Sequence, residues 1–421
     1  MKKILAAFVL LQCLVATLFA QDGSPLSAQG PGAFTSFAGD RSAGMGNAGL
    51  ALIENGYLNR LNPATWSGLE NVQATGTYGF SGVTSQDNTT NLSSYYANGT
   101  FGGGLIAVPI ARSLGISMAA GFAPMSSYQY KINATYDSTA NVPQYSYQKS
   151  GSGGLGEGLF GLSFSPINEI SIGGMFRYAF GRMQSIGNVT FSNTAYQGSF
   201  SDNSVYLRGP AGSFGVIIGD LDKITTLKFL SGLDIGAYYR SSYNLAGSYE
   251  LNNIYSDGLD TIFSQPANGY IPSEIGVGIS KRFNNHFVAV LDVRSQQLSK
   301  YRDTFTHQGS FDNTLFVGGG IELLQGRDIG YLFDRRIIRA GLYYEKTQFS
   351  LPTKTGSTQQ VDELFGTAGI ELPVSRSATV DIAAQYGFRG LSSDLLLHER
   401  VFRLYVSFTF GEVWFIRPVG D

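Results

Sequence analysis

The sequence predicts an all-β protein, a transmembrane antiparallel β-barrel of about 14 strands with a small N-terminal plug, or hatch. Three observations predict this fold. Apolar and polar residues alternate with a period of two, which separates the two faces of a strand. Many alternating runs reach the ten or so residues that a tilted strand needs to cross a bilayer. The connections between the runs alternate between short and long.

The composition favours strands over helices and argues against nucleic-acid binding. The chain contains 54 Gly, 24 Tyr and 29 Phe, but only 14% charged residues, against about 25% in an average soluble protein. Aromatic and small polar residues in place of Lys, Glu and Leu favour strands and turns over helices. No run is rich in Lys or Arg, so we expect no nucleic acid partner.

The first element, residues 1–20, is predicted to be a secretory signal peptide. Lys2 and Lys3 precede an apolar stretch, and a small residue, Ala20, suits cleavage before Gln21. A retained membrane anchor is the alternative. Cys13 is the chain's one cysteine and would leave with the signal, so we expect no disulfide and no thiolate metal ligand in the mature chain.

The second element, residues 21–70, is predicted to be a plug inside the barrel. It is rich in Gly, Ala, Ser and Asn and does not alternate like a strand. A barrel of about fourteen strands has a lumen too wide for its own side chains to fill. Small residues would let this segment pack closely on the wall, and a proline fixes a turn without a regular ladder. A flexible periplasmic tail is the alternative. The predicted hatch residues are Gly44, Gly46, Gly49, Asn62, Pro63 and Ala64.

The third element, residues 71–421, is predicted to be the barrel. In "VFRLYVSFTF", Phe402, Leu404, Val406, Phe408 and Phe410 share one face, which we expect to contact membrane lipid. The predicted strands cover residues 71–81, 93–109, 114–130, 149–165, 169–183, 199–219, 229–254, 272–282, 285–300, 313–324, 336–349, 361–373, 377–390 and 398–411.

The connections predict the cellular location. After even-numbered strands they are mostly short, such as "IARS", "SPINE", "FNNH" and "PVSR", and after odd-numbered strands they are mostly longer, as at 82–92, 133–148 and 351–360. Short periplasmic turns and longer extracellular loops are typical of the bacterial outer membrane. Trp414 and Phe415 follow the last strand and suit a membrane interface. We expect the barrel-assembly machinery to recognise the C-terminal strand. A secreted soluble β-protein is the alternative.

Catalytic and cofactor motifs give no support for an enzyme. Gly44–Gly49 matches the pattern G-x-G-x-x-G, as does Gly151–Gly156. The dinucleotide fingerprint also needs a buried strand before it and a helix after it, and "GAFTSFAGDRSA" is no buried strand. We therefore expect no cofactor. His286, His307 and His398 are too scattered to predict a metal site.

Three stretches resemble the FadL family of outer-membrane channels for long-chain fatty acids and other hydrophobic compounds. "DRSAGMGNAGLALIENGYLNRLNPATWSGL" is similar to the family's N-terminus, with its Asn62-Pro63-Ala64 motif. "IPSEIGVGISKRFNNHFVAVLDV" is similar to a family hairpin, with Pro272, Gly276 and Asp292. "RRIIRAGLYYEKT" is similar to a family strand, with Arg339-Ala340-Gly341.

The resemblance implies a barrel closed by a hatch, through which hydrophobic small molecules diffuse inward. It also implies a gap or kink in the wall as a sideways exit. Gly173-Gly174 or Gly102-Gly103-Gly104 could supply one, or these glycines only relieve crowding. Two rival functions stay open. FadL-like barrels include the shuttle subunit of type IX secretion, which handles proteins, and a structural barrel without cargo is the other alternative.

Overall fold

The computed structural model is a closed antiparallel barrel of 14 strands, counted over the residues that it describes. The predicted signal peptide, His307, Trp414 and Phe415 lie outside those residues. The described residues are 23–35, 39–88, 92–139, 142–193, 195–225, 227–255, 258–305, 311–324, 336–375 and 377–412.

Several strands are interrupted, so that some consist of two segments. The strands are β1 Val72–Asp87, β2 Ser93–Ala111, β3 Ile116–Pro124 with Tyr130–Tyr136, β4 Tyr145–Ile167, β5 Ile170–Phe191, β6 Ser199–Ile218, β7 Leu233–Arg240 with Tyr243–Tyr255, β8 Gly258–Ile271 with Glu274–Asn284, β9 Phe287–Gln296 with Arg302–Asp303, β10 Thr314–Leu324, β11 Ile337–Pro352, β12 Thr358–Ser375, β13 Ala378–Arg389 and β14 Leu397–Glu412.

The helices are short. They are α1, Asp40–Ala43, and α2, Leu221–Thr225. No helix among the described residues is long and apolar enough to cross a membrane. Short 3₁₀ turns cover Pro25–Ala28, Pro63–Gly68, Arg112–Leu114, Lys228–Leu230 and Leu298–Lys300.

The period-two pattern produces an apolar outer surface. Phe176 on β5, Phe214 on β6 and Leu342 on β11 are 55%, 63% and 65% exposed. Their neighbours in sequence, such as Arg177 and Ser213, are buried in the lumen. Exposed aromatic and aliphatic side chains on this scale are unfavourable in water but match the hydrocarbon of a bilayer. The barrel is therefore of the bacterial outer-membrane type, and the outer membrane is its location.

Pairing of the first and last strands closes the sheet. β1 and β14 pair without a register shift, from Val72 with Glu412 to Asp87 with Leu397. Closure leaves no exposed edge at this seam, because each backbone N–H and C=O finds a partner on the neighbouring strand. Both ends of the barrel domain therefore lie at the same rim, which we assign to the periplasm because two-residue turns such as 168–169 and 285–286 lie there.

The strands extend further toward the extracellular end than the sequence predicts. β1 continues to Asp87, and β11 and β12 together narrow the predicted loop 351–360 to residues 353–357. Residues 258–271, predicted as a loop, form a strand paired with Tyr243–Tyr255. These predictions were wrong because main-chain hydrogen bonds continue the hairpins beyond the membrane. Polar side chains are compatible with a strand there, because both of its faces can contact water.

Candidate functional site

The lumen contains the N-terminal segment, which we define as residues 23–35 and 39–71. Residues 41–52 and 57–66 are all buried, although they belong to no barrel strand. Tight local turns shape this part of the chain. Gly46 and Asn47 both have positive φ, 64° and 54°, a conformation that glycine and asparagine adopt most readily.

The G-x-G-x-x-G stretch packs its backbone directly against the barrel wall. The Gly46 N–H donates to Thr367 Oγ1 at 2.9 Å, and the Thr367 hydroxyl donates to the Gly44 carbonyl at 3.1 Å. A Cβ atom at Gly46 would lie 2.4 Å from the Leu342 carbonyl oxygen. The glycines therefore permit contact between two backbones, and none of these contacts involves a nucleotide site.

Glycines on the barrel wall also leave space for this close contact between backbones. A Cβ at Gly341 would lie 2.4 Å from the Gly46 nitrogen, and one at Gly318 would lie 2.2 Å from the Gly46 carbonyl oxygen. A Cβ at Gly320 would lie 2.6 Å from Met45 Cα. Side chains at these three wall positions would push the N-terminal segment away from the wall.

Asp292 on β9 holds the next turn of the segment. Its carboxylate accepts hydrogen bonds from the Gly49 N–H at 2.7 Å and from the Leu50 N–H at 3.0 Å. The Asp292 side chain is 1% exposed. A buried carboxylate that accepts two backbone N–H groups satisfies donors that would otherwise be lost in the lumen.

The Asn62-Pro63-Ala64 motif forms a third contact with the wall. Asn62 Nδ2 donates to the Leu50 carbonyl at 2.7 Å, and Asn62 Oδ1 accepts from the Ala64 N–H at 3.1 Å. A Cβ at Gly173 on β5 would lie 2.5 Å from the Pro63 carbonyl carbon, and one at Gly215 on β6 would lie 1.8 Å from Asn62 Oδ1. The paired glycines Gly173 and Gly215 leave the space that this motif fills.

Buried ion pairs connect the segment to the wall near the periplasmic rim. Arg41 donates from Nε to Glu322 Oε2 at 2.6 Å, and Arg339 reaches the same oxygen at 2.8 Å. Arg339 also pairs with Glu371 and Asp381. Burial alone would lower the pKa of Arg41, but the nearby carboxylates, Glu322 first, outweigh burial and raise it. Arg41 therefore stays charged, and its pairs persist.

On the extracellular side of residues 39–71 lies a layer of buried charges, the middle charged layer, to which Arg60 of the segment itself contributes. Arg177 Nη1 lies 2.6 Å from Glu157 Oε1, and Arg240 Nη2 lies 2.7 Å from Glu274 Oε2. The layer surrounds a cavity of about 60 Å³. Its charged members are Arg60, Arg177, Arg240, Arg294, Glu157, Glu274 and Glu345.

Nearer the extracellular end, one side of the lumen is apolar, whereas on another side Arg389 pairs with Glu363 and Glu399. We call the apolar group the upper apolar cluster. It combines wall residues with Leu26 of the N-terminal segment. Tyr243 joins it to the layer below, because its hydroxyl donates to Glu157 Oε2 at 2.7 Å. Its larger members are Leu26, Met125, Tyr128, Tyr130, Leu155, Met183, Leu207, Tyr243, Leu245, Ile271, Leu298, Phe311 and Phe349.

The wall has a gap between β2 and β3. Their register ends at Gly104 and Phe122, while residues 93–103 of β2 keep their pairing with β1 on the other side. Beyond Pro124, β3 bends into the lumen, where Ser126–Ser127 pairs with Ala33–Phe34 of the N-terminal segment. The interruption follows from this bend, which carries the β3 backbone out of reach of β2.

A cavity of the lumen lies directly behind the gap. The cavity has a volume of about 230 Å³ and is lined by Asn98 and Gly102 of β2 and by Gln129, which lies between the two segments of β3. Asn98 Nδ2 donates a hydrogen bond to Gln129 Oε1 across the gap. At this position β2 and β3 are joined by a contact between polar side chains. Backbone hydrogen bonds join the same two strands nearer the periplasm.

The structure distributes the predicted site residues in two places. All six predicted hatch residues lie in the N-terminal segment and contact the wall or organise its turns. Gly173 and Gly174, predicted as a wall kink, lie in continuous pairing with β4 and β6. The alternative glycines Gly102–Gly104 lie at the gap instead, where Gly103 has a φ of 103° and β2 has a bulge opposite Thr77 and Tyr78.

Sequence reasoning missed the charged layer and the bend of β3. Arg177 alternates with apolar neighbours and so was predictable as inward-facing, but its partner Glu157 lies on another strand. The described histidines are separated: His286 bonds Leu324 near the periplasmic rim, and His398 bonds Gly390 near the other end. His307 lies outside the described residues.

Solved structures with the same fold include a FadL homologue and two toluene transporters. A FadL homologue from Pseudomonas aeruginosa is 14% identical, with a TM-score of 0.61, over 90% of this chain and 99% of its own. The toluene transporter TbuX from Ralstonia pickettii is 14% identical, with a TM-score of 0.58, over 89% and 98%. The toluene transporter TodX from Pseudomonas putida is 14% identical, with a TM-score of 0.55, over 93% and 100%.

These identities establish a FadL-like fold and no closer relationship. No curated protein matches the sequence. A family model does match, over residues 1–418, and its description is BamG. The resemblance to FadL channels therefore holds at the level of the fold, and the chain belongs to the BamG family.

Proposed function

We propose that this protein is an outer-membrane channel for passive uptake of hydrophobic small molecules, which leave the lumen sideways through the β2–β3 gap. The observation that carries the proposal is the gap itself. The register of β2 and β3 ends at Gly104 and Phe122, and a cavity of about 230 Å³ lies directly behind the opening. An unpaired stretch in a barrel wall is costly in lipid, so we attribute it to function.

The lumen lining supports an amphipathic cargo such as a long-chain fatty acid. The upper apolar cluster would contact an aliphatic chain and contribute roughly 25 cal/mol per Å² of buried apolar surface. The middle charged layer contains four arginines and three glutamates, an excess of one positive charge when all are ionised. That excess suits the carboxylate of a fatty acid, because arginine binds carboxylates in two-pronged geometry.

The N-terminal segment would serve as the plug. Its residues 39–71 contact the wall through glycine backbones, through Asp292 and through the ion pairs of Arg41. A straight path for cargo into the periplasm is energetically unfavourable. The cargo would have to displace these residues, and the buried ion pairs would then be broken and left uncompensated. Residues 23–35 contain no charged side chain and so make no ion pair with the wall, and they lie beside the bend of β3. This division favours a sideways exit over a periplasmic one.

The structural neighbours argue against catalysis. The proteins of similar structure include a monoaromatic hydrocarbon channel and toluene transporters. Transport is a property of those proteins, and we expect it of this chain. Together with the wall gap they favour transport and give no reason to assign an enzymatic reaction.

Cross-linking across the gap tests the route. Cysteines would replace Asn98 and Gln129, and a short cleavable bismaleimide would join them. We expect uptake of a fluorescent long-chain fatty acid by intact cells to fall several-fold and to recover on cleavage. The matched control joins cysteines at Ile106 and Ala120, a paired position of the same two strands. Equal uptake before and after linking at 98 and 129 would contradict the sideways route.

A second candidate function is a protein-binding role at the barrel-assembly machinery. The family name BamG hints at that association. The observation that favours it is the filled periplasmic half of the lumen, where charged pairs and the N-terminal segment occupy the interior. A structural or secretion-related barrel would need no open path.

Purification in mild detergent separates the two candidates. Lipid extraction of the purified barrel, followed by mass spectrometry, measures bound acyl chains, and co-purification measures assembly-machinery subunits. Fatty acids recovered from the wild type but not from a variant with Leu155→Arg and Leu245→Arg in the upper apolar cluster would support transport. Stoichiometric co-purification of assembly subunits with no recovered lipid would support the protein-binding role and contradict uptake.

A further inference from the structure

The connection between β6 and β7 differs from the other described periplasmic turns in length and in surface. We call residues 219–225 and 227–232 the long periplasmic turn; it contains α2 and the 3₁₀ turn Lys228–Leu230. Three large apolar side chains on it are exposed: Ile224 by 50%, Leu227 by 48% and Phe229 by 74%. Apolar exposure on this scale marks a surface that contacts something other than water.

The turn is held in place rather than free to move. The Lys281 ammonium group on β8 donates to the carbonyl oxygens of Phe229 at 3.0 Å and Ser231 at 2.5 Å. The Arg282 N–H donates to the Gly232 carbonyl at 2.8 Å. At the other end, the Gly219 N–H donates to the Glu169 carbonyl at 2.7 Å. These bonds fasten both ends of the turn to the rim of neighbouring strands.

The contact with Lys281 places the turn on the outer side of the wall. Side chains alternate along β8, and Ile275, Val277 and Ile279 are exposed on the lipid-facing side by 56%, 52% and 39%. Lys281 continues that set at a spacing of two, whereas Arg282 points inward to Glu54 of the N-terminal segment. The carbonyl groups of Phe229 and Ser231 therefore lie against the outer face.

The apolar side chains of the turn continue the lipid-contacting belt. The last outward residue of β6 is Ile218, 37% exposed, and the first clearly exposed one of β7 is Ile235, at 38%. The turn connects these two strands at the periplasmic edge. Aromatic and aliphatic side chains at such an edge enter the boundary between headgroups and acyl chains.

We propose that the long periplasmic turn is a lipid anchor, in which Ile224, Leu227 and Phe229 insert into the periplasmic leaflet of the outer membrane. The occupant is phospholipid acyl chain, because the turn is continuous with the belt that already contacts lipid. The anchor fixes the depth and tilt of the barrel on one side. This proposal is independent of the transported cargo.

Site-directed fluorescence tests the anchor in the full-length protein. The variant Phe229→Cys, in a background with Cys13→Ala, carries an environment-sensitive nitrobenzoxadiazole label and is reconstituted in phosphatidylethanolamine and phosphatidylglycerol vesicles. Lipids brominated near the headgroup end of their acyl chains serve as quencher. Phe176→Cys on the outer belt gives the fully lipid-exposed reference, and Ser393→Cys in the extracellular connection 390–396 gives the water-exposed one.

We expect quenching at position 229 to approach that at position 176 and to exceed that at position 393 several-fold. Leu227→Cys should behave in the same way, so a single misfolded variant does not decide the outcome. Heat-modifiable migration on gels verifies that each variant is assembled. Quenching at 227 and 229 no greater than at 393 would overturn the anchor, because these side chains would then be in water.

Discussion

At the scale of single residues, glycine decides where the N-terminal segment can touch the wall. Gly173 and Gly174 are neighbours on β5 with opposite surroundings. A Cβ at Gly173 would lie 2.5 Å from the Pro63 carbonyl carbon, whereas the nearest atom to one at Gly174 is in the Phe214 ring at 3.9 Å. The lumen side therefore excludes even a methyl group that the lipid side accepts.

The first prediction follows from this pair. Gly173→Ala should displace Asn62 and Pro63, at a cost of roughly 1–3 kcal/mol for overpacking, and Gly174→Ala should be nearly neutral. Limited proteolysis of the purified barrels, followed by N-terminal sequencing, measures the release of the segment. Equal protease resistance of the two variants would contradict the close contact.

The residues that carry the resemblance to FadL channels share a structural role. Asp292 binds the N–H groups of Gly49 and Leu50, Arg339 pairs with the carboxylate that also holds Arg41, and Gly341 leaves room for Gly46. Residues far apart in the sequence therefore serve one purpose. They hold the N-terminal segment against the wall.

At the scale of elements, alternation along β14 separates lipid from lumen. Ser407 donates to Thr77 Oγ1 at 3.0 Å inside the barrel, and Thr77 in turn donates to Asp40 of the N-terminal segment. The even-numbered residues lie on the outer face, where Phe402 and Phe410 are 40% and 47% exposed. A single register step exchanges these surroundings.

The second prediction tests this face assignment. Val406→Lys should lower barrel stability by about 2–4 kcal/mol, because its ammonium group would face hydrocarbon near the middle of the belt. Ser407→Lys should be milder, because it would face the Asp40 carboxylate. Urea titration of heat-modifiable migration in detergent-free vesicles gives both values. Similar losses at the two positions would disprove the assignment of β14 faces.

The bend in β3 is the other feature at this scale. Its residues Ser126–Ser127 leave β2 and pair with Ala33–Phe34, while Ser27 and Gln129 make a further contact. The N-terminal segment therefore supplies the partner that β2 does not. The bend of β3 and residues 33–34 therefore stabilise each other, so the N-terminal segment and the gap are structurally coupled.

At the scale of the whole molecule, the lumen is layered. Residues 39–71 of the N-terminal segment fill the periplasmic half, the middle charged layer lies above them, and the upper apolar cluster, with Leu26, lies nearer the extracellular end. Each layer has a different chemistry. Buried charges also lie near the extracellular end, on another side of the lumen, where Arg389 pairs with Glu363 and Glu399. A cargo that enters from outside would therefore meet apolar surface on one side and charge on the other.

The third prediction concerns this filling. Deletion of residues 21–60 should leave an assembled barrel that conducts small ions, because residues 39–60 occupy the periplasmic half of a lumen that a wall of 14 strands leaves wide. Deletion of residues 21–35 should conduct far less, since residues 39–71 keep their contacts with the wall. Single-channel conductance in planar bilayers measures both. A deletion of 21–60 that conducts no more than the full chain would refute the plug.

The sequence alone determined the barrel and the places of most strands. Outward residues must be apolar in lipid and inward ones need not be, and that constraint appears in the sequence as alternation with a period of two. The glycines and Asn62-Pro63-Ala64 likewise indicated a segment that packs closely.

Only the tertiary structure decided the gap, the ion pairs and the extent of the hairpins. Arg177 and Glu157 are 20 positions apart and meet only when β4 and β5 are in register. The bend of β3 depends on a partner strand about ninety residues earlier in the chain, as the separation in the nearby Thr35–Met125 bond illustrates. Alternation reports which side a residue faces, but pairing energy between distant segments is not encoded in any local pattern.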